Sequence, residues 1–144
     1  MTNPVTIVMI EDDEGHARLI ERNIRRAGVT NEIIHFSDGA STYDYFNKLQ
    51  AQPADTPILV LLDLNLPDVS GIDILEYLKS HGHLKVTPVI VLTTTDDRSE
   101  IQRCYDLGCN VYMTKPVDYQ QFATAIRQLG LFFSVIKVPG PPNA

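Results

Sequence analysis

A run of five apolar residues followed at once by an aspartate constrains the fold of this 144-residue chain most strongly. The run extends from Ile58 to Leu62 without polar alternation, which is typical of a strand buried on both faces of a parallel sheet. Asp63 ends the run, and ligands of open α/β sheets bind just beyond the carboxyl ends of the strands. Pro67 and Gly71 then favour a loop before the next helix. Taken alone, Asp63 is either a solvated residue that ends a strand or the centre of a site.

Strand and helix patterns alternate along the rest of the chain. Short apolar segments predict four further strands, over residues 5–10, 32–36, 88–92 and 110–113. Helical spacing predicts helices over residues 14–27 and 71–81. Two more helices are predicted, one from a cap at Ser37 or Asp38 to residue 50 and one from a cap at Asp96 or Asp97 to residue 107, and Asp118 opens a last one. Residues 82–87 are predicted to form a polar loop. This alternation predicts a three-layer α/β sandwich, in which helices cover both faces of a parallel sheet.

Composition and charge exclude several classes of protein. With 44% hydrophobic and 21% charged residues, the chain has the composition of one globular domain. Its net charge of -6 argues against nucleic acid and anionic membranes as partners. No apolar run approaches the roughly 20 residues that span a bilayer, and the N-terminus lacks the basic segment of a signal peptide. Cys104 and Cys109 match no metal or redox spacing, so we expect reduced thiols in a cytoplasmic protein.

Charged residues follow three of the predicted strands. Glu11 and Asp12 follow the first strand, Asp63 follows the central one, and Lys115 follows the fifth. If the sheet has the doubly wound order 2-1-3-4-5, strands 1 and 3 are neighbours and the three carboxylates share one pocket. Crowded carboxylates need a compensating charge, and Mg²⁺ prefers oxygen ligands of this kind. The alternative is three solvated acids in unrelated loops.

A lysine and a hydroxyl complete this set of residues. The cation of Lys115 suits a phosphate or a carboxylate, and Thr93 offers a hydroxyl at the end of the fourth strand. An aspartate, a metal pocket, a lysine and a hydroxyl together suit phosphoryl transfer onto a carboxylate. In that reaction Asp63 would attack in line.

Four segments resemble the receiver domain of two-component response regulators. They are IEDD at 10–13, LLDLNLPDVSG at 61–71, VLTTT at 91–95 and YMTKP at 112–116. The resemblance covers residues 5–130 and implies a flavodoxin-like receiver fold, a doubly wound five-stranded parallel sheet of order 2-1-3-4-5. It implies a switch that takes a phosphoryl group from a sensor histidine kinase in a phosphorelay. Such a protein is not an enzyme, although it assists its own phosphorylation and dephosphorylation.

The resemblance also implies roles for individual residues. Asp63 is the implied phosphoacceptor, Thr93 the switch hydroxyl, Lys115 the phosphoryl contact and Tyr112 the aromatic switch. The implied ligands of Mg²⁺ are Glu11, Asp12, Asp63 and the main-chain carbonyl of Asn65. The family pattern further implies a cis peptide between Lys115 and Pro116.

Two positions depart from the family pattern. Glu11 stands where Asp is common, and its longer side chain reaches the metal either directly or through a water molecule. Thr94 stands where a smaller residue is common, and its methyl group either narrows access to the phosphoryl group or has no effect. The segment around strand 5 and the C-terminal tail resemble the regulators that work with phytochrome-type, light-sensing histidine kinases. We therefore expect a bacteriophytochrome as the partner kinase.

Other functions fit the pattern less well. A haloacid-dehalogenase-type phosphatase needs a second acid two residues after its nucleophile, where this chain has Asn65. A transcription factor needs a DNA-binding domain, and we expect no part of this chain to form one. A degenerate receiver that only binds partners is not expected to retain Glu11, Asp12, Asp63, Thr93 and Lys115 together. The four histidines, at 16, 35, 81 and 83, are expected to be surface or partly buried residues rather than phosphodonors.

The C-terminal segment predicts a homodimer. We expect a receiver domain over residues 1–130 and an extension over 131–144 that serves as a dimerisation arm, with no output domain. One apolar stripe at helical spacing consists of Phe122, Ile126, Leu129, Phe133 and Ile136. Apolar residues on other faces of the segment need a second surface to cover them, and the expected dimer arm consists of Leu131, Phe132, Phe133, Val135 and Ile136. The alternative is an arm that folds back over its own sheet edge.

Overall fold

The structure is a computed structural model that describes residues 5–52 and 57–133, with side chains up to residue 129. Strands and helices alternate throughout this part of the chain. The strands are β1 (Thr6–Ile10), β2 (Ile33–Phe36), β3 (Ile58–Leu62), β4 (Val89–Thr93) and β5 (Val111–Thr114). The α-helices are α1 (Glu14–Arg26), α2 (Gly39–Gln50), α3 (Gly71–Ser80), α4 (Arg98–Leu107) and α5 (Tyr119–Phe133).

The five strands form one parallel sheet in the order β2-β1-β3-β4-β5. Every residue of the central strand β3 is buried, as its continuous apolar run predicts. The register pairs Ile10 at the end of β1 with Leu62 at the end of β3. Glu11 and Asp63 therefore leave the sheet side by side. The predicted strand order and the three-layer architecture are confirmed.

Helices cover both faces of the sheet and divide the core into two parts. On one face, α1 and α5 pack Ile24, Phe122 and Ile126 against β1, β3 and β4. On the other face, α2, α3 and α4 contribute a second cluster that includes Phe46 and Leu75. Each such buried side chain contributes about 1.5–3 kcal/mol of transfer free energy, so the two layers hold the strand ends in fixed positions.

Each of the first four α-helices has a side-chain N-cap, and these caps lie at the edge of the sheet where the strands end. The capping residues and the backbone N–H groups that they accept from are Asp13 with His16, Asp38 with Ser41, Ser70 with Ile72, and Asp97 with Ser99. Each cap satisfies an N–H group that has no partner within its helix. The caps thus fix the four strand-to-helix loops that surround the sheet edge.

Some element boundaries differ from the sequence-based predictions. Residues 82–87 are not a plain loop, because Gly82–Val86 forms a 3₁₀ helix that buries Leu84 in the core. A single apolar residue gives no periodicity by which such a turn could be recognised. Strands β4 and β5 each end one residue later than predicted, because Thr93 pairs with Thr114. The Lys115–Pro116 peptide is cis, as expected.

The C-terminal prediction is only partly covered by the structure. Helix α5 continues through Leu131, Phe132 and Phe133, while Val135 and Ile136 lie outside the described residues. Within the described part of the chain, no helix is both long and apolar enough to cross a membrane.

Candidate functional site

The three predicted acids lie together at the carboxyl ends of β1 and β3. One carboxylate oxygen from each of Glu11, Asp12 and Asp63 lies within 4.8 Å of the others. Glu11 is 1% exposed and Asp63 is 5% exposed, whereas Asp12 is exposed. The sheet register therefore brings together the pocket that the sequence predicted, with two buried acids and a third that faces solvent.

Lys115 supplies a positive charge to this acidic cluster. Its Nζ donates to Glu11 Oε1 and to Asp63 Oδ2, at 3.3 Å from the latter, and lies 3.0 Å from His16 Nδ1. The side chain of Lys115 is only 9% exposed. An ammonium group has three N–H donors, and these three acceptors account for all of them. Lys115 is thus a fixed part of the site rather than a mobile surface lysine.

One lysine does not balance three acids, and the consequence appears at Glu11. Burial raises the pKa of the Glu11 carboxyl to about 7; the hydrogen bond to Asp63 and its charge add to the rise, while Lys115 opposes it. Three acids and one lysine also leave the pocket short of positive charge whenever all three acids are ionised. Three convergent carboxylates are the hard oxygen donors that Mg²⁺ and Mn²⁺ select. The three carboxylates of the cluster therefore fit a divalent cation as its ligands.

Asn65 connects Asp63 with the hydroxyls at the end of β4. Its backbone N–H donates to Asp63 Oδ1 at 3.1 Å, and its side-chain Nδ2 donates to Thr93 Oγ1 at 3.3 Å and Thr94 Oγ1 at 3.4 Å. Thr93 is fully buried, and its Oγ1 also accepts from the Thr95 backbone N–H at 3.5 Å. Since the Thr93 oxygen accepts both of these bonds, its own hydroxyl proton remains to be donated.

Tyr112 is joined to the same loop through its hydroxyl group. Its hydroxyl donates to the carbonyl oxygen of Thr95 at 2.6 Å, and its backbone N–H donates to the Tyr105 hydroxyl at 3.1 Å. Burial raises the pKa of Tyr112 to about 12, so the hydroxyl keeps its proton at neutral pH. The ring therefore has a direct link to the residue two positions after Thr93.

Sequence analysis placed Gly71 in the loop after Asp63, but it missed two contacts that hold this loop. The Asp68 carboxylate accepts from the backbone N–H groups of Gly39 at 2.7 Å and Ala40 at 3.0 Å, at the start of α2. Gly71 lies so close to the strand end that a Cβ there would be 2.4 Å from the carbonyl oxygen of Asp63. Asp68 is a carboxylate at a helix N-terminus, a favourable pairing, but its partner is 29 residues away and no local pattern indicates it.

His16 also lies closer to the site than the sequence indicated. Its side chain is 45% exposed, yet Nδ1 is 4.0 Å from Glu11 Oε1 as well as 3.0 Å from Lys115 Nζ. His16 lies in the first turn of α1, directly after the acidic end of β1, and this position was the available signal. A ring nitrogen of His35 lies 2.7 Å from the main-chain carbonyl oxygen of Glu11.

Comparison with known proteins identifies the family. The sequence profile of the family described as "Response regulator receiver domain" matches residues 7–127. The chain belongs to this family. Receiver domains act as phosphoacceptors in two-component signalling, where they pair with sensor histidine kinases, and they bind divalent cations at the acidic pocket. The protein is therefore a receiver-type response regulator and has the fold that the sequence predicted.

Three similar proteins illustrate the relationship. A receiver domain from Rhodospirillum rubrum is 64% identical with a TM-score of 0.75, covering 94% of this chain and 97% of that one. The bacteriophytochrome response regulator RtBRR is 36% identical with a TM-score of 0.78, covering 96% and 85%. Response regulator Rcp1 of Synechocystis sp. is 32% identical over 113 residues, which is 78% of this chain and 77% of Rcp1. The Mn²⁺-bound structure of Rcp1 matches this receiver domain with 29% identity and a TM-score of 0.71, covering 95% of this chain and 100% of that one.

Proposed function

We propose that this protein takes a phosphoryl group from the phosphohistidine of a sensor histidine kinase onto Asp63. The single observation that carries the proposal is the environment of the Asp63 carboxylate. It lies at the end of the central strand, with Lys115 on Oδ2 and the Asn65 backbone N–H on Oδ1. The proposed cation is Mg²⁺, and its proposed ligands are Glu11, Asp12, Asp63 and the main-chain carbonyl of Asn65.

The residues of the pocket can perform this transfer. An oxygen of Asp63 attacks phosphorus in line; the P–O bond forms as the P–N bond breaks, and the kinase imidazole leaves and takes up a proton. Lys115 offsets the negative charge on the phosphoryl oxygens, and the Thr93 hydroxyl has a proton to donate to one of them. When bound, the cation supplies further charge neutralisation. The protein undergoes modification and does not turn over an external substrate, so we propose a switch rather than an enzyme.

Replacement of the nucleophile tests this proposal. Asp63→Asn keeps the shape of the side chain and should abolish Mg²⁺-dependent labelling by acetyl phosphate or by a cognate kinase. Asp106→Asn makes the same chemical change at an exposed position on α4 and should label normally. Undiminished labelling of Asp63→Asn would reject Asp63 as the phosphoacceptor.

We propose that the switch runs from Thr93 to Tyr112. A phosphoryl group would draw the Thr93 hydroxyl inward, and the ring of Tyr112 would follow into the vacated space. The hydrogen bond from Tyr112 to the Thr95 carbonyl supports this coupling, because it joins the ring to the same strand end. Thr93→Ala should still be phosphorylated but should lose the change in partner binding. If Thr93→Ala is phosphorylated and still changes its partner binding as wild type does, the coupling between Thr93 and Tyr112 is excluded.

We propose a bacteriophytochrome-type histidine kinase as the partner, in the cytoplasm. Similarity to the bacteriophytochrome response regulator RtBRR supports this type of kinase. The buried, unpaired thiols of Cys104 and Cys109 support a reducing compartment. The net charge of -6 supports a protein partner rather than nucleic acid or a membrane. Transfer from such a kinase should be much faster than from unrelated kinases of the same cell, and equal rates would reject this partner.

We also propose that residues 131–144 form a homodimerisation arm on a receiver domain over residues 1–130. The support is the apolar sequence of the segment, in which Phe132 and Val135 fall outside the stripe continued from Phe122 and Ile126. Sedimentation of the full chain should give a dimer at micromolar concentration, and a chain ending at Leu129 should give a monomer. Equal, monomeric masses for both chains would reject the dimer. A dimer that survives truncation would move the interface to α4, β5 and α5.

A further inference from the structure

We propose that His16 is a positioning residue for Lys115. In this proposal, which rests on the proposed function of Asp63, His16 Nδ1 accepts a hydrogen bond from Lys115 Nζ. The bond holds the ammonium group at the pocket while the carboxylates are engaged by a cation and a phosphoryl group. His16 would thereby act on phosphoryl transfer without touching the phosphoryl group itself.

The three acceptors around Lys115 Nζ are not equivalent. Two of them, Glu11 and Asp63, are carboxylates of the acidic cluster and belong to the proposed ligand set of the cation. The third, His16 Nδ1 at 3.0 Å, lies outside the proposed ligand set. Of the three acceptors, His16 is therefore the one that neither the proposed cation nor the phosphoryl group would engage.

The tautomer of the ring in the proposed contact follows from its partner. An ammonium group can only donate, so the Nδ1 atom that faces it must carry the lone pair and Nε2 must carry the ring hydrogen. A neutral acceptor suits this role, because it orders Lys115 without adding a charge that competes with the phosphoryl group.

The surroundings hold the backbone of His16 in place beside Lys115. His16 lies in the first turn of α1, where its backbone N–H donates to the capping carboxylate of Asp13 at 2.9 Å. The groove beside His16 and Lys115 is lined by the apolar side chains of Leu19, Ile20, Pro116 and Val117, together with Asn23 and Thr94. A long lysine side chain that loses the imidazole would regain rotamer freedom at the mouth of the pocket.

Two substitutions at His16 separate hydrogen bonding from packing. His16→Leu keeps the bulk of the side chain and removes the acceptor, whereas His16→Asn places an amide oxygen near the position of Nδ1. Acetyl phosphate is the donor, so that contacts between α1 and a kinase do not enter. We expect His16→Leu to lower the phosphorylation rate at saturating donor by about two- to tenfold, the effect of one hydrogen bond. The half-saturating donor concentration should stay unchanged, and His16→Asn should recover most of the rate.

The control is Leu19→Ala, which alters the wall of the same groove, leaves the three hydrogen-bond partners of Lys115 in place and should phosphorylate as wild type. Far-ultraviolet circular dichroism checks that each variant is folded. An unchanged or increased rate in His16→Leu would overturn the proposal. So would a His16→Asn protein as slow as His16→Leu, because the ring would then act by packing.

A second readout needs neither cation nor phosphorylation. In protein with ¹⁵N-labelled lysine, the Lys115 ammonium resonance, assigned by Lys115→Arg, should be protected from exchange in wild type and in His16→Asn. It should broaden in His16→Leu. A Lys115 signal that is identical in all three proteins would refute the contact. A loss of protection in His16→Leu, together with a failure of Asp63 to accept phosphate, would uphold the contact and reject the proposed function instead.

Discussion

Replacing Glu11 with glutamine should stabilise the metal-free protein at alkaline pH and have little effect at acidic pH. The pKa of the Glu11 carboxyl rises from its ordinary value of 4.5 to about 7 in the folded chain, chiefly because of burial. The folded chain thus binds this proton more tightly than the unfolded chain does. Its favourable contribution is fully present below pH 4.5 and is lost as the pH rises through about 7. Glutamine is neutral throughout and can still accept from Lys115.

The interval between the two pKa values sets the size of the effect. Each tenfold change in proton affinity is worth about 1.4 kcal/mol, so the interval from 4.5 to about 7 limits the effect to about 3 kcal/mol. Between pH 5 and pH 8, wild type should lose about 2–3 kcal/mol of unfolding free energy relative to Glu11→Gln. In a domain of this size, that loss lowers the melting temperature by about 5–10 °C.

Urea unfolding in a chelator, at half-unit steps from pH 5 to pH 8, measures the difference between the two proteins. Both proteins carry the same four histidines, so the difference between their two curves reports the change at Glu11. Saturating Mg²⁺ should narrow the difference at pH 8, because a cation binds the ionised carboxylate in the native state. Parallel curves for wild type and Glu11→Gln in the chelator would refute the reasoning, since they would mean that Lys115 already compensates the charge of Glu11.

Two further predictions concern the neighbours of Asp63. Added Mg²⁺ should raise the melting temperature of wild type but not that of Asp12→Asn, since the exposed carboxylate of Asp12 completes the cluster; an equal rise in both would exclude Asp12 as a ligand. Gly71→Ala should cost about 1–3 kcal/mol of unfolding free energy and slow phosphorylation, because its Cβ would lie 2.4 Å from the carbonyl oxygen of Asp63. Gly15→Ala, whose Cβ would meet only the side-chain atom Asp13 Oδ1, at 3.2 Å, should cost less than Gly71→Ala in the same urea titration. Equal costs at both positions would refute the close-approach argument.

Much of the fold was readable from the sequence because its strands are buried on both faces. The run from Ile58 to Leu62 has no polar residue, and the structure buries each of its members. Boundaries were less predictable where a polar residue joins a strand. Thr93 was expected to close β4, but pairing with Thr114 extends that strand, and a pairing across the sheet leaves no local pattern. The 3₁₀ helix Gly82–Val86 depends on the burial of Leu84, which is also a tertiary effect.

The charged part of the site was readable for a different reason. Parallel strands end at one edge of the sheet, so acids that follow β1 and β3 meet there once the strand order is known. Residues that act through long-range contacts could not be found in this way. Asp68 reaches the start of α2 across 29 residues, and His16 meets Lys115 across 99 residues. Neither contact leaves a spacing in the sequence, because each depends on how a loop and a helix pack after the sheet has formed.

The most direct test of the central claim is chemical mapping of the phosphorylated residue. Borohydride reduces an acyl phosphate to the alcohol, which converts an aspartyl phosphate to homoserine. Protein phosphorylated with acetyl phosphate and Mg²⁺ should yield, after reduction and digestion, one modified peptide that carries homoserine at position 63. Protein incubated without the donor should show no conversion. Reduction at Asp12, at Glu11 or at no carboxylate of a protein that carries label would contradict the account.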